Sequence, residues 1–295
     1  MMKVRFWGTR GSIATPGPST VTYGGNTSCV ELRADDQILI FDAGTGIRNL
    51  GNHLLQEFDT RLLTLHVFIS HTHWDHIQGF PFFLPAYEEQ TTLHLYGPPG
   101  RDKSLEKILK IQMDSDYFPV ELGAMSPNIK IHEVREPQKV GKLTVEPFYL
   151  NHPALCLAYA VSDGQRRIVY ATDNEPYYDV LHEQNRRGPQ TSDFPTYLDE
   201  KFVEFLSRAD LYIGEAQYTK EEYEEKKGWG HSPLEATVRF AVQANVKKLA
   251  LFHYDPLHDD KFVGRMIEDA KQLIGMYAGG TECFGAREGM EIVVS

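Results

Sequence analysis

The sequence predicts an α/β fold of the αββα sandwich type, in which two facing mixed β-sheets carry helices on their outer faces. Three observations predict it. Short runs rich in β-branched and aromatic residues come in two successive sets, each accompanied by segments whose apolar positions have helical spacing. Glycine, proline, aspartate and asparagine, the residues that turn a chain, bound these runs. No internal repeat and no linker divides the 295 residues, so one domain spanning 1–295 is expected, and a 41% hydrophobic content is ample for its core.

Residues 2–7 read as a strand. Gly8-Thr9-Arg10-Gly11-Ser12 and Pro16-Gly17-Pro18 then belong to a long loop that runs to Tyr23-Gly24-Gly25-Asn26-Thr27-Ser28. Loops of this length tend to lie beside a site, although turn chemistry alone also accounts for it. Residues 29–33 and 37–41 alternate as a hairpin around Ala34-Asp35-Asp36. Asp42 follows the second strand, where it either orients a neighbouring loop or caps a helix starting near Thr45. In 47–58, Ile47, Leu50, Leu54, Leu55 and Phe58 share one helical face that should pack on a sheet. Residues 65–69 form a buried strand, 80–87 are apolar and broken by proline, 92–96 form a strand and 104–113 a helix. The irregular stretch 114–128 offers Tyr117 and Phe118 to a rim or to the contact of a homodimer.

Strands follow at 129–134 and 142–149, and 158–161 pairs with 166–170 across Ser162-Asp163-Gly164-Gln165. The polar, tyrosine-rich stretch 174–200 reads as an excursion covering the site; Arg186 and Arg187 within it suit a phosphate contact or plain solvated charge. A short strand at 211–213 ends at Gly214-Glu215, and 220–227 is a charged helix with a solvated face. Ser232 is a natural N-cap with Pro233 at the first helical position. A strand at 248–252, a helix at 259–274 and a strand at 291–294 close the chain.

A formal charge of −11 argues against gripping long nucleic acid by counterion release, which needs clustered lysine and arginine. Bound divalent cations would offset part of it. The first strand starts too early for a signal sequence, and no run approaches the ~20 apolar residues of a membrane span, so a cytoplasmic protein without a membrane partner is expected. Cys29, Cys156 and Cys283 are few and scattered, which supports neither a disulfide framework nor a CxxC zinc site.

The densest chemistry lies in 66–79, where His71, His73, Asp75 and His76 follow directly on the apolar strand. His71 emerges at a strand end, and an i, i+2 pair in extended chain lets His71 and His73 chelate one ion. Asp75 and His76 diverge as the chain turns into a helix-like segment and face a second ion. Two ions ~3.5–4 Å apart are the usual apparatus for hydrolysis at phosphorus or an acyl carbon. Further ligand types stand after later strands: His152, Asp173 and His253.

The HxHxDH pattern of 71–76 resembles the signature of the metallo-β-lactamase superfamily, whose fold is the αββα sandwich. The resemblance implies that His71, His73 and His152 bind a first ion, that Asp75, His76 and His253 bind a second, and that Asp173 bridges them. An anion between two close cations also answers a physical need. Gly230-His231-Ser232-Pro233-Leu234-Glu235-Ala236 and Ile213-Gly214-Glu215-Ala216 look like the histidine motif and companion glutamate motif of the phosphodiesterase branch, which includes tRNase Z. The implied catalytic residues are His231, which protonates the leaving oxygen, Glu215, which orients it, and Asp75 beside the ions. A helix N-terminus disfavours imidazolium, so a carboxylate partner for His231 is sensible.

Gly214 and Gln217 depart from tRNase Z, which carries histidine and threonine there, and no Gly/Pro/basic-rich excursion suits a tRNA elbow. Phe6-Trp7-Gly8-Thr9-Arg10-Gly11-Ser12 and Gly24-Gly25-Asn26-Thr27-Ser28 look more like a bacterial group of small phosphodiesterase-type hydrolases. The expected activity is therefore a dinuclear phosphodiesterase acting on a small, cyclic phosphodiester such as a cyclic nucleotide, by attack of a metal-bridging hydroxide. A tRNase Z-like or exonuclease-type nuclease and a thioester or lactone hydrolase are the alternatives. Zinc, manganese and iron all suit the ligands. Trp74, Tyr218 and Trp229 either stack a base at the mouth or pack.

Overall fold

The computed structural model describes residues 1–59, 62–125, 128–177 and 194–295. Strand-forming runs lie in the predicted order. They are β1 (Met2–Gly8), β2 (Cys29–Ala34), β3 (Gln37–Phe41), β4 (Leu63–Phe68), β5 (Thr91–Gly97) and β6 (Ile129–Glu133), followed by β7 (Gln138–Val140), β8 (Leu143–Leu150), β9 (Cys156–Ser162) and β10 (Arg167–Ala171). β11 (Leu211–Glu215), β12 (Lys248–Phe252), β13 (Glu282–Gly285) and β14 (Glu291–Val294) complete the set. The helices are α1 (Gly46–Phe58), α2 (Trp74–Ile77), α3 (Leu105–Gln112), α4 (Phe194–Leu206), α5 (Lys220–Lys226), α6 (Leu234–Gln243) and α7 (Asp260–Met276).

Among the described residues two seven-stranded sheets result, ordered β14-β1-β2-β3-β4-β5-β6 and β13-β12-β11-β10-β9-β8-β7. Each is mixed: β1–β2–β3 and β7–β8–β9–β10 pair antiparallel, whereas β3–β4–β5–β6 and β10–β11–β12–β13 run parallel. The sheets face each other across Val4, Phe6, Phe41, Phe68, Tyr159, Tyr170, Ile213 and Phe252, all but solvent-free. Each such side chain contributes about 1.5–3 kcal/mol by leaving water. Ile47, Leu50 and Leu54 of α1 cover Ile40, Leu65 and Val67 of the first sheet. Phe202, Val238, Phe240, Val263 and Met266 of α4, α6 and α7 cover Val169, Tyr212 and Leu249 of the second. This is the predicted αββα sandwich.

Four elements differ from expectation. α4 falls inside and beyond the excursion expected at 174–200, of which 178–193, with Arg186 and Arg187, lie outside the described residues. Pro195 is the second residue of α4, where proline's missing N–H has no intrahelical partner to lose. Ser232 is not the N-cap of α6; Pro233 is, and the Ser232 hydroxyl donates instead to the Asn174 carbonyl. The short strands β7 and β13 carry too few residues for an alternating pattern to show. No described helix is long and apolar enough to cross a membrane.

Candidate metal centre

Parallel strands deliver their carboxyl ends to one edge, and the edges of the two sheets coincide. The Tyr159 hydroxyl donates to the Ile69 carbonyl at 2.7 Å and the Leu157 amide to Ser70 at 2.9 Å, which ties the second sheet to the segment leading into His71. Asp42, Asp173 and His253 each follow a strand with φ of 61°, 51° and 58°. Such left-handed backbone costs about 1–2 kcal/mol per non-glycine residue, and here it turns each side chain back into the cleft. α2 begins directly after His73, so Asp75 and His76 sit on its single turn.

The donor atoms gather into three overlapping groups that share Asp173, one of which joins it to Glu215, His231 and His253; the other two hold the ligand types expected from the sequence. His71, His73, His152 and Asp173 form one; Asp75, His76, Asp173 and His253 form the other, and within each group the ligand atoms lie inside 4.8 Å of one another. In the first, His73 Nδ1 is 3.0 Å from His152 Nε2, and His71 Nε2 is 3.5 Å from Asp173 Oδ2. In the second, His253 Nε2 stands 3.1 Å from Asp75 Oδ2, 3.3 Å from Asp173 Oδ1 and 3.3 Å from His76 Nε2. Donors about 2.0–2.1 Å from one tetrahedral ion are separated by roughly 3.4 Å, so the spacing fits. His71 Nε2, fully buried, has no hydrogen-bond partner at all.

The outward nitrogens are held by partners that fix the tautomer. His76 Nδ1–H donates to Asp42 Oδ2 at 2.7 Å, His152 Nδ1–H to the Gly230 carbonyl at 2.9 Å and His253 Nδ1–H to Gln217 Oε1 at 3.0 Å. His71 Nδ1–H reaches Ser70 Oγ at 3.1 Å, whose own hydrogen goes to Asp42 at 2.8 Å. The Ser12 amide donates to Asp75 Oδ2 at 2.7 Å, which places the long loop of residues 8–28 beside the site. Asp42 thus orients ligands and does not cap α1.

Electrostatics prepare these groups as ligands. Burial pulls the His71, His73 and His152 imidazoles down, His152 to about 4, so all three are neutral at pH 7. Burial opposes the Asp75 and Asp173 carboxylates, yet His76 and His253 hold both well below the usual range. His76 is the exception: burial opposes its imidazolium, but Asp75, Asp173 and Asp42 raise it well above its ordinary value, so an ion binding at Nε2 would displace a proton.

Glu215, at the end of β11, accepts from His231 Nδ1–H at 2.9 Å and from the Asn174 and Ser232 amides at 2.5 and 3.2 Å. His231 Nδ1 is 3.8 Å from Asp173. Every site residue picked from the sequence is therefore brought together. Of the aromatic candidates, Trp74 and Trp229 are 80% and 62% exposed, whereas Tyr218 is buried edge-on against His231 beneath the Lys226 ammonium and has no free face for a base. Tyr117 is exposed and Phe118 packs edge-on against Phe82. The three cysteines are buried and free.

Residues 37–254 match the family model described as the beta-lactamase superfamily domain. The chain belongs to the metallo-β-lactamase superfamily. Like the superfamily's hydrolases, it is a metal-dependent hydrolase, with a candidate divalent-metal centre. A ribonuclease Z of Haloferax volcanii is 24% identical over an alignment covering 99% of this chain and 95% of its own. Among solved structures, the metallo-β-lactamase fold protein YhfI from Bacillus subtilis superposes with a TM-score of 0.67 at 20% identity, covering 99% and 98% of the two chains. A diphosphatase of the PhnP family superposes with a TM-score of 0.64 at 15% identity, covering 100% and 98%. These two superpositions bear on the metallo-β-lactamase fold.

Proposed function

We propose that the chain is a dinuclear metal phosphodiesterase that hydrolyses a small, cyclic phosphodiester such as a cyclic nucleotide. His71, His73 and His152 would hold one divalent ion and Asp75, His76 and His253 a second, with Asp173 shared between them. Zinc, manganese and iron all suit this donor set. When bound, such a pair supplies Lewis acidity, lowering the pKa of water and neutralising charge on phosphoryl oxygens.

The observation that carries this reading is His231. Burial works against its imidazolium, yet Glu215 and then Asp173 raise it to about 9, the direction a proton donor needs. With Nδ1–H committed to Glu215, Nε2–H is the proton to give to an oxygen leaving phosphorus. An alkoxide needs that proton; a thiolate leaves without it, which weighs against thioester hydrolysis.

A second reading, a ribonuclease Z-like or exonuclease-type nuclease, draws on the near full-length alignment with the Haloferax enzyme. It also draws on a groove of about 320 Å³ that starts at Thr72 and Pro153, beside the metal ligands, and reaches Arg101 and Lys103. Two cations there suit a second phosphate of a longer chain. The net charge of −11 weighs the other way.

The test compares His231→Ala with the parent on two substrates. Activity on an alkoxide-leaving diester should fall at least about 100-fold, that on a p-nitrophenyl diester far less, since general acid catalysis contributes about 10²–10⁴-fold. Equal losses would remove the acid role. Rates on cyclic nucleotides, linear dinucleotides, a tRNA precursor and a thioester, with zinc and manganese loaded separately, decide between the two readings.

A further inference from the structure

Glu175 has no part in the ligand groups, yet it is bonded to the turn before His231 and to Asn151, the residue before His152. Its side chain is buried at 2% exposure, two residues beyond Asp173. One carboxylate oxygen accepts from the Tyr223 hydroxyl at 2.9 Å and the Gly228 amide at 2.7 Å, the other from the Gly230 amide at 2.8 Å. Its backbone is paired as tightly, the amide donating to the Asn151 carbonyl at 2.9 Å and the carbonyl accepting from Asn151 Nδ2 at 2.8 Å.

What these bonds hold is the turn between α5 and α6. Gly228 and Gly230 have φ of +86° and +89°, and a Cβ on Gly230 would meet His152 Nδ1 at 2.2 Å. The turn therefore passes directly against His152, and its Gly230 carbonyl is the acceptor that orients that ring. The next residue is His231. Two glycines in left-handed conformation have no side chains of their own to anchor the turn, so the carboxylate beneath it supplies the anchor. Hydrogen bonds to a carboxylate are shorter and about twice as strong as neutral ones.

We propose that Glu175 is a positioning residue that sets the orientation of His152 and the placement of His231 through the 228–230 turn, so that one carboxylate couples a metal ligand to the proton donor. The part concerning His231 rests on the phosphodiesterase reading; the part concerning His152 does not. Asn151, bonded twice to the Glu175 backbone, carries the same constraint along the chain to His152.

The experiment uses the full chain in three forms. Glu175→Gln keeps shape but replaces one acceptor oxygen with an amide that cannot receive a backbone N–H. Tyr223→Phe removes one donor and leaves both glycine amides in place. His231→Ala is run beside them. The readouts are cobalt affinity by chelator competition, the visible spectrum of the cobalt-loaded protein, and kcat and KM on the alkoxide-leaving and p-nitrophenyl diesters.

Glu175→Gln should weaken cobalt binding about 10–100-fold, as loss of a ligand's orienting contact does, and alter the cobalt spectrum. It should also lower kcat on the alkoxide-leaving diester about 10-fold more than on the p-nitrophenyl diester, with KM changed by less than about twofold. Tyr223→Phe should stay within about twofold of the parent in every readout. Should Glu175→Gln not fold, Glu175→Asp, which keeps the charge but is one methylene too short to reach Gly230, is read in the same way. A Glu175 variant that only loses thermal stability, with parent cobalt affinity, spectrum and substrate ratio, overturns the proposal. If His231→Ala loses both diesters equally, the leaving-group reading fails, and cobalt affinity and spectrum still decide the role of Glu175.

Discussion

Asp42 accepts four hydrogen bonds with two oxygens: the Ser70 amide at 2.6 Å, the Ser70 hydroxyl at 2.8 Å, His76 Nδ1–H at 2.7 Å and the Tyr170 hydroxyl at 2.6 Å. It belongs to none of the ligand groups, but it fixes which nitrogen of His76 faces the site. Asp42→Asn keeps the volume and loses one acceptor, so affinity for the ion assigned to Asp75, His76 and His253 should fall about 10–100-fold in chelator competition. Unchanged affinity would mean that ring packing alone holds His76. Asp42, His71, His73, Asp75, His76, His152, Asp173, Glu215, His231 and His253 were legible because their chemistry is written in residue type and each follows a strand or belongs to a motif. The Ser12 amide and the Gly230 carbonyl were not, since every residue has a backbone and only the fold says which one faces a ligand. Gln217 stood out only as a departure from a motif, while its amide oxygen is what orients His253. Of the two readings open to Tyr218 the structure shows packing, a choice the sequence leaves open because an aromatic side chain beside a site reads the same whether it lines the mouth or lies under it.

Elements show a second kind of legibility. Long periodic segments such as α1 and α7 were recoverable from spacing, and Asp259 caps α7 by accepting from the Phe262 amide at 2.7 Å. α4 was hidden because a proline early in a helix looks like a proline that ends one. The loop after β1 was ambiguous by composition, and the structure resolves it: residues 9–11 pair with Tyr254 through Tyr254 N to Thr9 O at 3.1 Å and Gly11 N to Tyr254 O at 3.0 Å. A Cβ on Gly11 would sit 2.5 Å from the His253 ring, whereas one on Gly17 meets nothing within 4 Å. Gly11→Ala should therefore displace His253 and reduce both bound metal and hydrolysis at least about 10-fold, with Gly17→Ala unchanged. Metal analysis of the two purified variants separates a local wedge from a general effect of loop stiffening.

Three neighbouring parallel strands carry another device. His66 on β4 stacks on His94 of β5 at 5.0 Å, and His94 on His132 of β6 at 5.3 Å, with His94 Nδ1 3.0 Å from His132 Nε2. Burial, then His94 and His132, pulls His66 to about 4 from an ordinary value of 6.5; burial also lowers His94 and His132, with Lys130 adding to both. The folded state thus binds fewer protons than the unfolded chain in this window. Stability from the stack is fully present above about pH 6.5 and is lost as pH falls toward 4. His66→Phe, which keeps a ring against Tyr96, should flatten that loss, read as the difference in Tm between pH 7 and pH 4.5 for the two proteins. Parallel curves would assign the acid sensitivity elsewhere.

The whole molecule is organised so that the site belongs to neither sheet alone. His71, His73, Asp75 and His76 follow β4 of the first sheet, whereas His152, Asp173 and His253 follow β8, β10 and β12 of the second. The group with His71, His73 and His152 and the group with Asp75, His76 and His253 each draw on both sheets, and Asp173 belongs to both of these groups. An ion in either position is consequently a cross-link between the sheets, added at the edge where the apolar core gives out. Ions that bind the folded chain and not the unfolded one stabilise it by mass action, about 2.7 kcal/mol for each at a hundred times its Kd. For a chain of this length, that corresponds to a rise in Tm of roughly 5 °C or more. Chelator-treated protein should therefore melt earlier than zinc- or manganese-loaded protein by at least that amount. Asp173→Asn, which lacks the charge that both ions share, should recover only part of the difference on reloading. Equal melting with and without metal would show that the hydrogen bonds from Tyr159 and Leu157 already hold the two edges together and that the ions serve chemistry alone.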